Sequence, residues 1–370
     1  MTDYDTIVIG AGPAGLSAGL VLGRCMRSVL LIDSGRYRNE RSTAMHCFMG
    51  SDGIPPADLL DRSRHQLLRY ENVTYVRTKV SAVRKGEEGF IIDSEDGQVR
   101  HTRTLLVATG VVDELPPILG IHDFFGSSVH VCPYCDAWEH RNAPVAVFGR
   151  GAKGAGLALL LRQWTEDLVL CTHGPDELSR QEAALLEKRG IAVRTTVMTR
   201  LEGEGHCLRA IRFEDGKCLT RKALFFTTGQ HPRSRLLESL NCDFGEKGVA
   251  CDEDGLTSVP GVYVAGDASR DVQLVIIASA EGARAALAIN KAMLKSDGYP
   301  RSAHDQASGH ESDAERGRDR RQAPGARAAR AAASRPGRAW QIDARHASHD
   351  GLHEVGDPFG GPDPHRGPDA

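Results

Sequence analysis

The sequence predicts an α/β fold in which one chain carries two doubly wound units of mostly parallel strands. Three observations predict it. Residues 6–9 form a β-branched run that ends in Gly10-Ala11-Gly12-Pro13-Ala14-Gly15 and gives way to an alanine- and leucine-rich helical stretch. Residues 144–148 repeat the pattern, ending in Gly149-Arg150-Gly151-Ala152-Lys153-Gly154 before helical residues 157–164. Between the two turns lies one Cys-x-x-Cys pair, Cys132-Pro133-Tyr134-Cys135. Strand, glycine turn and helix in that order define a Rossmann-like unit of the three-layer ββα type.

In the first unit, residues 28–32 follow as a second strand that ends at Asp33. The glycines let backbone approach a pyrophosphate, the helix start offers unpaired N–H groups, and Asp33 is placed to accept from a ribose hydroxyl. Gly10, Gly12, Pro13, Ala14, Gly15 and Asp33 are therefore candidate dinucleotide contacts. Gly149, Gly151 and Gly154 are their counterparts in the second unit, where residues 168–171 supply the next strand. That strand ends in Thr172-His173-Gly174, with neither an acid for a 2′-hydroxyl nor an arginine pair for a 2′-phosphate. The choice between NADH and NADPH is not written there.

Two further apolar runs, residues 104–108 and 223–226, end in Thr109-Gly110 and Thr227-Thr228-Gly229. They suggest points where the chain crosses between domains. A last strand, residues 261–265, ends in Gly266-Asp267 and precedes a helix over residues 273–294 that its small and apolar residues predict to be largely buried. From residue 296 the chain is rich in Arg, Ala, Gly, Pro, Asp and His, with no lysine after Lys295. Such a stretch buries too little to offset its ordering entropy, so residues 296–370 are expected to be a disordered tail.

With 370 residues the chain is long enough for two cores. A formal charge of −3 points to no nucleic acid and no anionic membrane as partner. No apolar run approaches the roughly 20 residues of a membrane span, and the polar first five residues do not read as a secretory signal. Nine cysteines with a single close pair argue against a disulfide scaffold and for a cytoplasmic setting. The isolated ones (Cys25, Cys47, Cys171, Cys207, Cys218, Cys242 and Cys251) are expected to be small buried hydrophobes.

The N-terminal glycine motif, Thr109-Gly110, the Cys-x-x-Cys followed by Asp136, the second glycine motif and Gly266-Asp267 occur in an order that resembles the low-molecular-weight thioredoxin reductases, over roughly residues 4–294. The resemblance implies FAD on the first fingerprint and NADPH (or NADH) on the second. It implies a discontinuous FAD domain, residues 1–115 and 236–295, with the NAD(P) domain, residues 116–235, inserted. It counts Gly110 and Gly266 among the cofactor contacts, places Asp267 at the FAD ribityl or phosphate region and the backbone from Leu274 and Val275 to Ile276 near the isoalloxazine, and implies a homodimer. The chain departs from that family at Leu274-Val275-Ile276, where an Arg-Gln-Ala triplet is usual, and at His173-Gly174-Pro175, where His-Arg-Arg is usual. The stretch carrying Arg38, Asn39 and His46, and the Cys-Pro-Tyr-Cys followed by Glu139, are more similar to a bacterial side branch near the dithiol oxidases of gliotoxin and holomycin type. Arg38, Asn39 and His46 are accordingly counted as cofactor contacts.

By the same resemblance Cys135 faces the flavin, Cys132 exchanges with substrate and Asp136 is the acid–base. If a helix starts at Asp136 and runs to His140, both sulfurs lie at its N-terminus, where a thiolate is favoured. A zinc site would need two more ligands beyond His130 and His140, and no second cysteine pair is present. The chemistry expected is electron transfer between NAD(P)H, FAD and a Cys132–Cys135 disulfide, ending on a thioredoxin-like protein or small disulfide. The alternative is a dithiol oxidase that closes a disulfide in a small molecule and passes electrons to oxygen. A flavin-bound sensor would instead be expected to lack a cysteine or carry an added binding module.

Overall fold

The computed structural model describes residues 3–245, 248–269 and 273–299. The tail reading beyond residue 299 lies outside the described residues. The chain opens with β1 (Tyr4–Ile9), α1 (Pro13–Arg24), β2 (Val29–Asp33), α2 (Pro56–Leu67) and β3 (Val73–Arg77). A meander of β4 (Val80–Lys85), β5 (Phe90–Ser94) and β6 (Val99–Val107) follows. The short β7 (Val111–Asp113), α3 (Ile121–Phe124), β8 (Val129–His130) and α4 (Pro133–Asp136) lead into the second glycine turn. There β9 (Val145–Phe148), α5 (Gly151–Leu161), β10 (Leu168–Cys171), α6 (Arg180–Lys188) and β11 (Ala192–Arg194) repeat the early pattern. The chain goes on through β12 (Met198–Glu204), β13 (Cys207–Phe213), β14 (Cys218–Thr220), β15 (Ala223–Phe226) and β16 (Gln230–Pro232). It closes with α7 (Leu236–Ser239), β17 (Phe244–Gly245), β18 (Gly248–Val249), β19 (Val262–Val264) and α8 (Val275–Ser296).

The strands assemble into two principal sheets. One runs β3-β2-β1-β6-β5-β4, with β19 also paired in parallel to β6, so the last strand returns to the first sheet. The other runs β11-β10-β9-β15-β8, and every pair in it is parallel. Both central strands read as continuous apolar runs because helices cover parallel strands on both faces. Ile7, Val8, Leu30 and Leu31 are fully buried in the first sheet, and Ala146, Val147, Leu170 and Leu224 in the second. The crossing points expected at the two Thr-Gly pairs meet in the antiparallel ribbon of β7 and β16, where His231 opposes Val112. Among the described residues no helix is long and apolar enough to cross a membrane.

Four local expectations are corrected. The second glycine-turn helix begins at Gly151 rather than residue 157, because the turn itself forms its first residues. The C-terminal helix begins at Val275, since Leu274 is extended at φ −106° and ψ 148°. That helix is also buried on one face only. Ala278, Gly282, Ala285, Ala286, Ile289 and Met293 pack inward at helical spacing, while Ile276, Leu287 and Leu294 are exposed. Nor are all isolated cysteines buried: Cys171 and Cys242 are, but Cys47, Cys207 and Cys218 are exposed. The last two sit on the β12–β14 sheet, whose strands alternate inward and outward.

Helix α8 seats its inner face on α1, in the same apolar cluster as Leu22, Leu31 and Leu106. The approach is close enough that a Cβ on Gly282 would stand 2.0 Å from the Ala14 carbonyl oxygen. The clash is with backbone, so a rotamer change cannot relieve it. Gly282→Ala should therefore destabilise the protein by about 1–3 kcal/mol, read as a lower urea midpoint at unchanged slope.

Candidate active site

Sixteen of the candidate site residues named from the sequence line one cavity of about 500 Å³: Gly10, Gly12, Pro13, Ala14, Asp33, Arg38, Asn39, His46, Gly110, Cys132, Cys135, Asp136, Gly266, Asp267, Leu274 and Val275. Gly15 lies beneath them, where a Cβ would stand 1.9 Å from the Gly10 carbonyl oxygen. Gly149, Gly151 and Gly154 belong to the second turn and do not line this cavity.

At one end of the cavity, β1 delivers the glycine turn and α1 opens at Gly12 with no side-chain cap. Nothing lies within 4 Å of where a Gly12 Cβ would be. On the far side the buried Gln273 Nε2 has no hydrogen-bond partner among the described residues. An open glycine, an uncapped helix start and an orphan donor around one cavity fit a bound dinucleotide. Asp33 is only 2 % exposed and already partnered: Tyr37 and Tyr75 hydroxyls donate to Oδ2, the latter at 2.9 Å, and the Ala11 amide donates to Oδ1 at 3.3 Å. The tyrosines carried no sequence signal, because each reaches Asp33 only through the folded sheet. Burial, then Asp33 itself, pushes the Tyr37 phenol well above its ordinary value.

Arg38 crosses the middle of the cavity wall. Its guanidinium donates to both Asp113 carboxylate oxygens at 2.6 and 2.8 Å, to Asp267 Oδ2 at 3.1 Å and to Gln273 Oε1. Burial raises the Asp267 carboxyl, and Arg38 pulls it back. Asp113 and Gln273 escaped sequence reasoning because neither sits in a motif.

At the other end Cys132 and Cys135 are joined, with Cα atoms 5.3 Å apart. The helix expected from Asp136 instead begins at Pro133 and ends at Asp136. Pro133 fits the first helical position, and Cys132 is the N-cap, its Sγ accepting the Cys135 amide at 3.2 Å. An amide aimed at a sulfur favours its thiolate once the bond is reduced. Behind the pair, His130 Nδ1 lies 3.3 Å from Asp136 Oδ1 and His130 Nε2 lies 3.0 Å from His140 Nε2. In front of it, His46 Nε2 reaches Glu139 at 3.5 Å and the Cys47 thiol reaches the Tyr134 carbonyl at 3.4 Å.

The second glycine turn is differently arranged. The Gly151 amide donates to the Asp176 carbonyl at 2.8 Å, so it points at the protein's own chain. Arg150 donates to the Thr172 carbonyl at 2.8 Å and to the His173 carbonyl, and pairs with Glu177 at 3.7 Å. His173 Nδ1 accepts the Met198 amide at 3.1 Å, and burial followed by Arg150 lowers its pKa.

Fold and site together define a disulfide oxidoreductase of the class with two dinucleotide folds and a Cys-x-x-Cys in the second. Residues 4–282 match the pyridine nucleotide-disulphide oxidoreductase family. The thioredoxin reductase tcpT of Claviceps purpurea is 32% identical over 279 residues, spanning 71% of this chain and 86% of its own. The crystal structure of HlmI aligns with a TM-score of 0.76 at 34% identity, covering 85% of this chain and 99% of that one. A putative thioredoxin reductase TrxB from Bacillus anthracis aligns with a TM-score of 0.76 at 31% identity, covering 80% and 99%. The chain belongs to the pyridine nucleotide-disulphide oxidoreductase family and is an enzyme of its thioredoxin reductase-like group.

Burial, then the neighbouring His130, pushes the His140 pKa down from 6.5 to about 4. The folded state thus refuses a proton that the unfolded chain accepts, so this group costs nothing above its unfolded pKa and destabilises increasingly as pH falls from 6.5 towards about 4. The thermal midpoint of His140→Asn should fall less than that of the parent over this window, by on the order of a few degrees. Parallel melts at neutral and mildly acid pH check it.

Proposed function

We propose that this protein is an FAD-dependent thiol–disulfide oxidoreductase that works in the direction of dithiol oxidation on a small molecule. The observation that carries the direction is the second glycine turn, whose Gly151 amide is taken by Asp176 and whose Arg150 is engaged by the Thr172 and His173 carbonyls and by Glu177. Pyrophosphate and a 2′-phosphate are held by amides and positive charge, and in this turn one amide and one guanidinium are already engaged by the protein itself. The cavity residues assigned above would hold FAD, with Gly10, Gly12, Pro13, Ala14 and Gly15 at the pyrophosphate, Asp267 at the ribityl or phosphate region and Leu274 and Val275 toward the ring. When bound, FAD would supply the two-electron redox chemistry that links oxidation of the enzyme dithiol to reduction of oxygen to hydrogen peroxide.

The chain's own residues do the rest. Cys132, whose sulfur receives the Cys135 amide, exchanges with the substrate sulfur, and Cys135 holds the electron pair on the side facing the cofactor. Asp136 takes and returns protons from the thiols. The disulfide lines the same cavity as the residues proposed to hold FAD, which suits exchange of electrons between the two. By family resemblance the enzyme is proposed to act as a homodimer in the cytoplasm.

A second reading, reduction of a thioredoxin-like protein or small disulfide by NADPH (or NADH), is favoured by Asp136, the residue thioredoxin reductases carry after the second cysteine. Anaerobic titration of the yellow protein separates the two. Dithiothreitol should bleach the flavin and admitted air should release peroxide, while NADPH bleaches it slowly or not at all. Faster bleaching by NADPH would establish the reductase. Cys135→Ser should lower turnover with dithiol at least about 10³-fold.

A further inference from the structure

We infer that His130 and His140 are positioning residues for the thiol–disulfide step, forming with Asp136 one proton-handling unit beside the Cys132–Cys135 bond. The inference rests on the reading that substrate thiols exchange at this disulfide, in either direction.

Three contacts place the unit. His130 ends β8, two residues before Cys132, and its side chain is 5 % exposed. Its Nδ1 faces Asp136 Oδ1 at 3.3 Å and its Nε2 faces His140 Nε2 at 3.0 Å. The Phe225 ring packs against both imidazoles, with centroids 5.2 Å from His130 and 6.2 Å from His140, so from the sheet side an apolar surface closes the pair. Glu139, next to His140, is turned to His46. The charged or titratable groups that face His130 are thus Asp136 and His140.

Two facing Nε2 atoms share one proton. With His130 Nδ1–H donating to the carboxylate, its Nε2 carries the lone pair and His140 Nε2–H donates to it. Burial keeps His140 neutral at physiological pH, which suits it to that donor role. The result is a directed chain, His140 to His130 to Asp136, that fixes the carboxylate in the cavity wall. It also changes the chemistry. An isolated carboxylate holds a proton only near pH 3.9, whereas a thiol gives one up near 8.5, and an imidazole at about 6.5 lies between them.

The step balances as follows. The first substrate thiol gives its proton to the Asp136–His130 unit, and its sulfur bonds to Cys132 Sγ. The Cys132–Cys135 bond breaks and its electron pair leaves on Cys135 as thiolate. The second substrate thiol gives its proton to the unit as its sulfur closes on its neighbour; this breaks the mixed disulfide, whose electron pair leaves on Cys132 and takes up the first proton. The substrate dithiol is oxidised to a disulfide and the enzyme disulfide is reduced.

The test is anaerobic stopped-flow bleaching of the holoenzyme by dithiothreitol across the imidazole titration range, for the parent, His130→Gln, His140→Asn, Asp136→Asn and the His130→Gln/Asp136→Asn pair. His130→Gln should slow bleaching roughly tenfold or more at neutral pH, displace the acid limb of the pH profile, and add nothing to Asp136→Asn. An unchanged profile, or losses that multiply in the double variant, would overturn the inference. Iodoacetamide alkylation of Cys132 in the reduced protein, read by peptide mass spectrometry against pH, supplies a readout without turnover. The His130 variant should displace that profile too, and an unmoved one counts against the unit. If the parent is not bleached by dithiol, the functional reading fails while the alkylation profile still decides the role of His130. His140→Asn, at a partly exposed position, serves should His130→Gln fold poorly.

Discussion

Arg38 is the contact around which the cavity is built. A guanidinium that is only 20% exposed must find its counter-charges within the protein, and it finds them in stretches 75 and 229 residues away, at Asp113 and Asp267. Asp113 belongs to the ribbon that joins the two sheets, Asp267 to the turn after β19, and Gln273 to the approach to α8. Satisfying this one cation therefore gathers the loop after β2, the crossing ribbon and the approach to the last helix around one space. Removing Arg38 would leave the Asp113 and Asp267 carboxylates without the cation that pairs them. The gain is geometric specificity: a bidentate fork accepts Asp113 in one orientation only.

The redox pair is held from two sides in a way that follows from this frame. Behind it, β8 and β15 pair in parallel and aim His130 at Asp136. In front, the loop that begins at Arg38 continues through Arg41, which donates to the His122 carbonyl at 2.9 Å, to His46 and Cys47 at the disulfide loop. The segment that neutralises the cavity wall is thus the same one that reaches the Cys-x-x-Cys.

Much of this was legible in the chain because its causes are local. A glycine turn between a β-branched run and a helix needs only about six residues to declare itself, and both copies were found. Pro133 and the two-residue spacing of the cysteines likewise encode a tight helical start, although the helix was expected at Asp136. The start lies earlier because Cys132 itself serves as the cap. The buried-cysteine expectation failed at Cys207 and Cys218 because strand position, not residue type, decides which face meets water.

By itself, then, the sequence determined two dinucleotide folds with a dithiol between them, since strand, turn and helix are set by neighbours along the chain. It did not determine what those parts would touch. That Asp33 is taken by Tyr37 and Tyr75, that Gly151 spends its amide on Asp176, and that His130 joins Asp136 to His140 were decided only by tertiary structure. Each is a polar group withdrawn from water that must be satisfied by whatever the folded chain brings within about 3 Å, and no spacing in the sequence records that choice.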